Sequence, residues 1–256
     1  MSNPETSAHL TDSQYWSDVW ERLTPPTAID PATSTPQIRE YCNFFESVLA
    51  GRTGRILEIG CGASPWLPYF AKLGFQVAGV DYSKVGCEQS RDILARAGIH
   101  GDIYDCDAFD PLPELLGAFD AVVSLGVVEH FKDTVEPIRA FAKFLRPGGM
   151  VLSTCPNMAG ILGFAQKVLN RPVYERHVPL TLPDLRAAHL AAGLTEVGGR
   201  YLGNLDFHVA NVERDGIAVK LTHKVLMRLT RIGDSLPVSI PRSRIWSCGV
   251  GFAAVK

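Results

Sequence analysis

The sequence predicts an α/β protein, a mostly parallel sheet wound with helices on both faces, and three observations carry that prediction. From Arg55 onward, short apolar runs alternate with longer segments of helical period, the pattern of strand-helix-strand units around a parallel sheet. The first run, Arg55-Ile-Leu-Glu-Ile59, leads straight into Gly60-Cys-Gly62, a turn whose absent β-carbons let backbone approach a bulky ligand. With 256 residues, 46% of them hydrophobic, the chain can bury the core of one large domain.

Taken in order, residues 1–50 read as an N-terminal helical extension. Tyr15, Trp16 and Trp20 fall at helical spacing, either as a lid over a ligand or as a helix packed on the core. The Pro/Thr-rich stretch from Thr24 to Pro36 reads as a hinge, because proline fixes φ and removes a donor. A helix follows over Gln37–Ala50. Residues 51–256 form the main domain. Strands are predicted over Arg55–Ile59, Gln76–Val80, Gly101–Cys106, Ala121–Ser124 and Met150–Cys155, with helices over Leu67–Leu73, Lys84–Ala97 and Val135–Leu145. Arg146-Pro-Gly-Gly149 punctuates the last helix, since glycine supplies left-handed φ and proline stops propagation. Regularity weakens from Pro156 to Pro183. A helix returns at Leu185–Ala192, then a strand over Thr195–Tyr201, a basic helix near Ile217–Ile232 and a final strand over Ile245–Ala253.

Charge and cysteine usage exclude several classes. A net charge of −2 argues against a nucleic-acid binder, which needs a basic excess to neutralise phosphates. Residues 171–256 carry 12 Lys and Arg against 7 Asp and Glu, a bias that suits an anionic small molecule or surface. On the helix near 217–232, Ile217, Leu221, Val225, Leu229 and Ile232 form one stripe and Lys220, Lys224, Arg228 and Arg231 another. That face is either solvated or a peripheral membrane contact. The six cysteines include no CxxC pair, so free thiols in a reducing compartment are expected rather than a metal or redox site. No secretory signal and no run near the ~18 apolar residues of a spanning helix is present, so a cytoplasmic location is expected.

The chemistry lies at the strand ends. In open α/β sheets ligands bind outside the carboxyl ends of the strands, where strand order reverses. Asp81 closes the second strand nineteen residues beyond Gly62, where a carboxylate can accept both hydroxyls of a ribose. A dinucleotide fingerprint would continue with a third glycine, but that position is Pro65. Glu58, inside the strand, would repel phosphates yet attract a cationic sulfonium or amino group. These features disfavour a nicotinamide-dependent oxidoreductase.

Glu58-Ile-Gly-Cys-Gly62 resembles the E-x-G-x-G motif of class I S-adenosylmethionine-dependent methyltransferases. In the same order, Asp81 resembles that family's ribose-binding acid and Cys106-Asp107-Ala108 its adenine-binding segment. Phe119-Asp-Ala-Val-Val-Ser124 resembles its fourth strand, Leu125-Gly-Val-Val-Glu-His130 the segment after it, and Leu145-Arg-Pro-Gly-Gly149 the turn before the fifth. The resemblance covers Gly54 to Cys155 and implies a Rossmann-like, doubly wound, mostly parallel seven-stranded sheet that binds S-adenosyl-L-methionine. It implies cofactor contacts from Trp16, Glu58, Gly60, Cys61, Gly62, Ser64, Asp81, Tyr82, Asp107, Ala108, Leu125 and Gly126. Asp102 and Asp105 compete with Asp107, which sits 13 residues before Asp120, near the family's spacing.

Methyl transfer from a sulfonium is an in-line displacement whose main requirements are alignment and exclusion of water; it requires no metal. A hydroxyl or N–H acceptor gains from a general base, and His is tuned to neutral pH. His130, after the fourth strand, and His177, in Tyr174-Glu-Arg-His-Val-Pro179, are the candidates. His208 is weaker, and His9, His100, His189 and His223 read as surface or packing residues. Segments 156–180 and 203–245 are assigned to the acceptor pocket. The layout of Asn157–Tyr174 resembles that of quinone-biosynthesis O-methyltransferases, where the matching stretch covers a hydrophobic acceptor; an amphipathic helix packed on the domain fits equally. The expected activity is O-methylation of a small molecule, hydrophobic or anionic. N- or C-methylation and a non-catalytic S-adenosylmethionine-binding protein stand as alternatives. The Asn/Asp-Pro-Pro-Tyr signature of nucleic-acid amino methylases is absent, its place being held by Ser124-Leu-Gly-Val.

Overall fold

Ile56 and Leu57, neighbours on β1 (Gly54–Ile59), are both fully buried, because successive strand residues point to opposite faces and both faces of this sheet are covered. The computed structural model describes residues 9–204, 206, 224, 225, 228 and 241–256. Seven strands form one sheet in the order β3-β2-β1-β4-β5-β7-β6. These are β2 (Phe75–Asp81), β3 (Gly101–Asp105), β4 (Phe119–Leu125), β5 (Leu145–Pro156), β6 (Thr195–Leu202) and β7 (Gly249–Val255). β1 to β5 pair in parallel, while β7 inserts antiparallel between β5 and β6.

Each face carries its own core. Ile56, Val123, Leu152 and Ala253 meet Phe44 and Phe45 of α2 (Pro36–Leu49) and Phe70 of α3 (Leu67–Lys72). On the opposite face, Leu57, Val122, Val151 and Ala254 meet Ile138 and Phe141 of α5 (Val135–Phe141) and Leu185 and Ala188 of α8 (Leu182–Ala191). The N-terminal 50 residues therefore divide in two. α2 builds the core, whereas α1 (Ser13–Arg22) has no fully buried residue. α4 (Lys84–Arg96) packs beside β2 and β3.

Several expectations need correction. The helix expected over Val135–Leu145 ends at Phe141, and Arg146-Pro-Gly-Gly149 lies inside β5. Gly148, at φ +78°, and a register shift between Phe119 and Ala121 accommodate the turn within the strand. The stretch from Pro156 to Pro183, where regularity was expected to weaken, contains α6 (Ile161–Leu169) and α7 (Arg171–Glu175), and α6 packs on the domain as the helical alternative for Asn157–Tyr174 expects. Pro172 enters α7 in its first turn, where the missing N–H costs nothing. The last strand begins at Gly249, four residues later than expected, because Ile245 and Trp246 lie in a turn. The basic helix near Ile217–Ile232, His208, His223 and most of segment 203–245 lie outside the described residues. Among the described residues no helix is long and apolar enough to cross a membrane.

Candidate active site

β1 and β4 are neighbours whose connections leave toward opposite sides of the sheet, the topological switch point at which such sheets bind ligands. A cavity of about 460 Å³ opens there, within the range for small-molecule sites. Its floor is the turn after β1. Gly60 sits at φ +74° and a β-carbon there would meet Cγ2 of Val127; one on Gly62 would collide with the indole of Trp20 and with Asp81. The amides of Gly60 and Cys61 both donate to the carbonyl of Val80, at 2.8 and 3.2 Å, which ties the turn to the end of β2. Ala63 adopts φ +52°, a left-handed conformation uncommon for a residue with a side chain and typical of constrained ligand-binding turns.

Two acids frame this turn. Asp81 accepts from the Gly62 amide at 2.8 Å and from the Ser83 amide at 2.7 Å. Burial raises its pKa to about 6, opposed by those two amide hydrogen bonds. Glu58 accepts from Oγ of Ser64 at 2.7 and 2.8 Å. Its burial is complete enough to push the carboxyl up to about 8, the Ser64 hydroxyl opposing and the Asp81 charge adding to the shift. A buried carboxyl held this way is poised to ionise when a cationic group arrives.

Across the cavity, the turn after β4 holds Glu129 and His130. Nδ1–H of His130 donates to the Arg176 carbonyl at 2.7 Å, and the Val178 amide donates to the Glu129 carbonyl at 2.7 Å, so the segment after α7 clamps this turn. His177 stands behind His130 with ring centroids 4.6 Å apart, its own Nδ1–H donating to the Val173 carbonyl at 2.7 Å. A carbonyl only accepts, so both rings carry the proton on Nδ1 and leave Nε2 with a lone pair. Burial, with the neighbouring His177 second, pulls His130 down to about 3, and burial lowers His177 as well. Glu129 is 1% exposed and, among the described residues, neither of its oxygens has a hydrogen-bond partner.

α1 closes one side. Asp12 caps it by accepting from the Tyr15 amide at 2.8 Å. Trp16 and Trp20 stack at 5.5 Å, and Trp16 meets His130 edge-on at 5.3 Å. Polar contacts fasten the helix to α4: the hydroxyls of Ser17 and Ser83 are 3.0 Å apart, and Nε2 of Gln89 donates to the Trp20 carbonyl at 2.9 Å.

Of the residues expected at the cofactor, Trp16, Glu58, Gly60, Gly62, Ser64, Asp81, Tyr82, Asp107, Ala108, Leu125 and Gly126 line this cavity, as does His130. Cys61 does not, and its thiol turns onto Gly79 of β2 and Cys87 of α4, between the sheet and that helix. Only its backbone belongs to the turn. His177 is absent from the wall and lies beside His130, its ring centroid 4.6 Å away. Asp107 lines the cavity and Asp102 and Asp105 do not. His189 is a packing residue, buried between Ser153 and Phe252. His9, expected at the surface or in packing, packs tilted against Phe109 and edge-on against Phe131 and lines the cavity. Trp20 was legible as the i+4 partner of Trp16. Glu129 was visible only as the neighbour of His130, since its burial depends on how the segment after α7 folds back.

Residues 35–196, more than half of the chain, match the family described as a methyltransferase domain. Two curated relatives are ubiquinone biosynthesis O-methyltransferases. The one from a Caulobacter strain is 32% identical over 54% of this chain and 56% of its own length, so the chain matches little more than half of that relative. The one from Nitrobacter winogradskyi is 30% identical over 73% of this chain and 76% of its own length. Among solved structures, phosphoethanolamine N-methyltransferase 2 of Haemonchus contortus, in complex with S-adenosyl-L-methionine, superposes with a TM-score of 0.56 at 20% identity, covering 85% of this chain and 52% of that one.

Proposed function

Because the chain belongs to the class I S-adenosylmethionine-dependent methyltransferase family, we propose that it transfers a methyl group from S-adenosylmethionine to a hydroxyl of a small, apolar acceptor, with His130 receiving the hydroxyl proton. The observation that carries this reading is that one cavity brings together the Gly60–Gly62 cradle, the acids Glu58 and Asp81, and an imidazole with an available lone pair.

The cradle fits the donor. A β-carbon at Gly60 or Gly62 would fill it, and the indole N–H of Trp20 beside it is a buried donor without a partner among the described residues. S-adenosylmethionine supplies a methyl group on a cationic sulfur. Asp81 receives the ribose hydroxyls, Glu58 the cationic end, and Asp107 and Ala108 flank the adenine. Burial keeps His130 unprotonated at neutral pH, so its Nε2 lone pair is free to accept from the hydroxyl; the same burial makes the imidazole a weak base until the ligands that enter the cavity change its surroundings. Trp16 and Trp20 cover the reacting atoms and exclude water. The apolar wall, with Phe109, Phe131 and Phe141, suits an acceptor with an apolar body, and the ubiquinone O-methyltransferases among the relatives support oxygen over nitrogen or carbon.

Calorimetric titration with S-adenosylmethionine, S-adenosylhomocysteine and NADH tests the donor; binding of NADH alone would sink the reading. A mass-spectrometric screen of a metabolite extract for a gain of one CH2 identifies the acceptor. His130→Ala is expected to lower turnover on the order of 10²-fold or more with donor affinity within about twofold.

A further inference from the structure

Tyr15 and Arg176, far apart in the chain, join the helix that covers the cavity to the segment that holds the base. The guanidinium of Arg176 lies over the Tyr15 ring, its Cζ 4.6 Å from the ring centroid, and its Nη1 donates to the Pro172 carbonyl at 3.1 Å. This side chain is therefore pinned between α1 and α7, which fixes the main chain where α7 ends. The carbonyl of that same residue accepts from Nδ1–H of His130 at 2.7 Å. Tyr15 also meets Trp16 edge-on at 5.3 Å, and Trp16 in turn meets His130 edge-on at 5.3 Å. One ring thus touches both groups that hold the imidazole. Neither Tyr15 nor Arg176 lines the cavity, so their effect on the reaction runs through His130.

We propose that Tyr15 and Arg176 are positioning residues for the methyl transfer, their stacked contact holding His130 in the orientation and tautomer that present Nε2 to the cavity. The inference rests on the methyl-transfer reading of this site. A histidine bonded through Nδ1–H to a fixed carbonyl keeps its proton there and its lone pair on Nε2. When that carbonyl shifts, the ring can turn or take the other tautomer, and Nε2 then meets the acceptor hydroxyl as a donor. A misplacement of about 1 Å costs on the order of 10²-fold in rate, so a contact outside the cavity is enough to matter.

The same contact ties the cover to the base. α1 carries Trp16 and Trp20, which line the cavity, and it cannot lift without withdrawing Tyr15 from Arg176. A closed cover and an oriented base are therefore one state. Two substitutions separate positioning from charge and from packing in general. Burial and His177 lead the causes that lower the His130 pKa, and the charge of Arg176 adds to them; Tyr15→Leu leaves that charge in place and removes the ring. Tyr15→Phe keeps the ring, and phenylalanine also offers its face to a cation.

The test uses the full chain with nitrogen-15 in its histidines. Magnetic resonance coupling of ring nitrogens to ring protons reads the His130 tautomer, with the signal assigned by its loss in His130→Gln. Transfer is read with S-adenosylmethionine carrying a radioactive methyl group and a metabolite extract as the source of acceptor, label being counted in the solvent-extracted product. The parent is expected to hold the Nδ1–H tautomer alone. Tyr15→Leu and Arg176→Leu should each mix the two tautomers and lower the labelling rate about tenfold, with the donor dissociation constant within about threefold of the parent. Tyr15→Phe should recover the parent's tautomer and most of its rate. Because the two residues act as a unit, the double variant should be no slower than the slower single one. Circular dichroism establishes that the variants fold, and Tyr15→Met or Arg176→Met replaces any that does not. A single tautomer in both Leu variants, or a labelling rate unchanged in both, overturns the inference, as does a Tyr15→Phe variant as impaired as Tyr15→Leu. A parent that binds S-adenosylmethionine and labels nothing defeats the methyl-transfer reading alone, and the tautomer, which needs no turnover, then decides the contact.

Discussion

The amide of Gly62 donates to Oδ2 of Asp81 at 2.8 Å, so the glycine turn after β1 and the acid that ends β2 are one hydrogen-bonded unit. The second oxygen accepts from Ser83, which fixes the carboxylate plane and leaves one lone-pair site on each oxygen for a ribose. Asp81→Asn keeps the shape but turns one acceptor into a donor. It should weaken S-adenosylmethionine binding by about ten- to a hundredfold, the value of a charge-assisted hydrogen bond. Calorimetry reads the change, and undiminished affinity would mean that the ribose lies elsewhere.

Trp20 is expected to matter for the donor and little for the fold. α1 has no fully buried residue, and polar contacts join it to α4. Its indole nonetheless fills the space above Gly62. Trp20→Ala should raise the donor dissociation constant about tenfold, an effect of the ~1.4 kcal/mol expected from losing one aromatic stacking contact, with a melting temperature within a few degrees of the parent. Tryptophan fluorescence should change on donor binding in the parent and much less in the variant. A large drop in melting temperature with unaltered affinity would make α1 a structural helix rather than a cover.

What could be read from the sequence follows the reach of its signals. The strands were visible because both faces of this sheet are buried, so Ile56-Leu57 and Val122-Val123 are continuous apolar pairs, and Gly60-Cys-Gly62 marked the turn because only glycine tolerates Val127 and Trp20 so close. The direction of the Cys61 side chain was not visible, since it follows from the φ angles of the turn. α6 was legible only as one of two readings of Asn157–Tyr174, and its separation from α7 was not, because that break is set by Asn170, which ends one helix and caps the next. The cluster of Glu129, His130 and His177 joins residues 47 and 48 positions apart. Its closing contacts are main-chain carbonyls, which leave no trace in residue identity.

Phe45 should be the most sensitive apolar position of the N-terminal region. It is fully buried among Phe44, Phe70, Tyr41 and Trp66, so Phe45→Ala leaves a cavity that rigid neighbours cannot close. A loss of about 3–5 kcal/mol is expected, measured by urea unfolding with an unchanged slope. A loss below about 1 kcal/mol would mean that α2 is an appendage and that the core begins at β1.

Donor binding should release a proton, and Glu58 should be its source. Burial holds this carboxyl at about 8, so at pH 7 the ligand-free site is mostly protonated, whereas a bound cationic group favours the carboxylate. The sign follows: a group whose pKa falls on binding loses its proton to solvent, and affinity rises with pH until the free group is itself ionised. Between pH 6 and pH 8 the affinity for S-adenosylmethionine should climb, approaching tenfold per pH unit at the lower end. Asp81, at about 6, adds to the slope only near pH 6. Calorimetry at pH 7 in two buffers of different ionisation enthalpy should count close to one proton released, and Glu58→Gln should reduce that count to near zero and flatten the profile. Equal heats in both buffers for the parent would show that Glu58 does not face the cationic end of the donor.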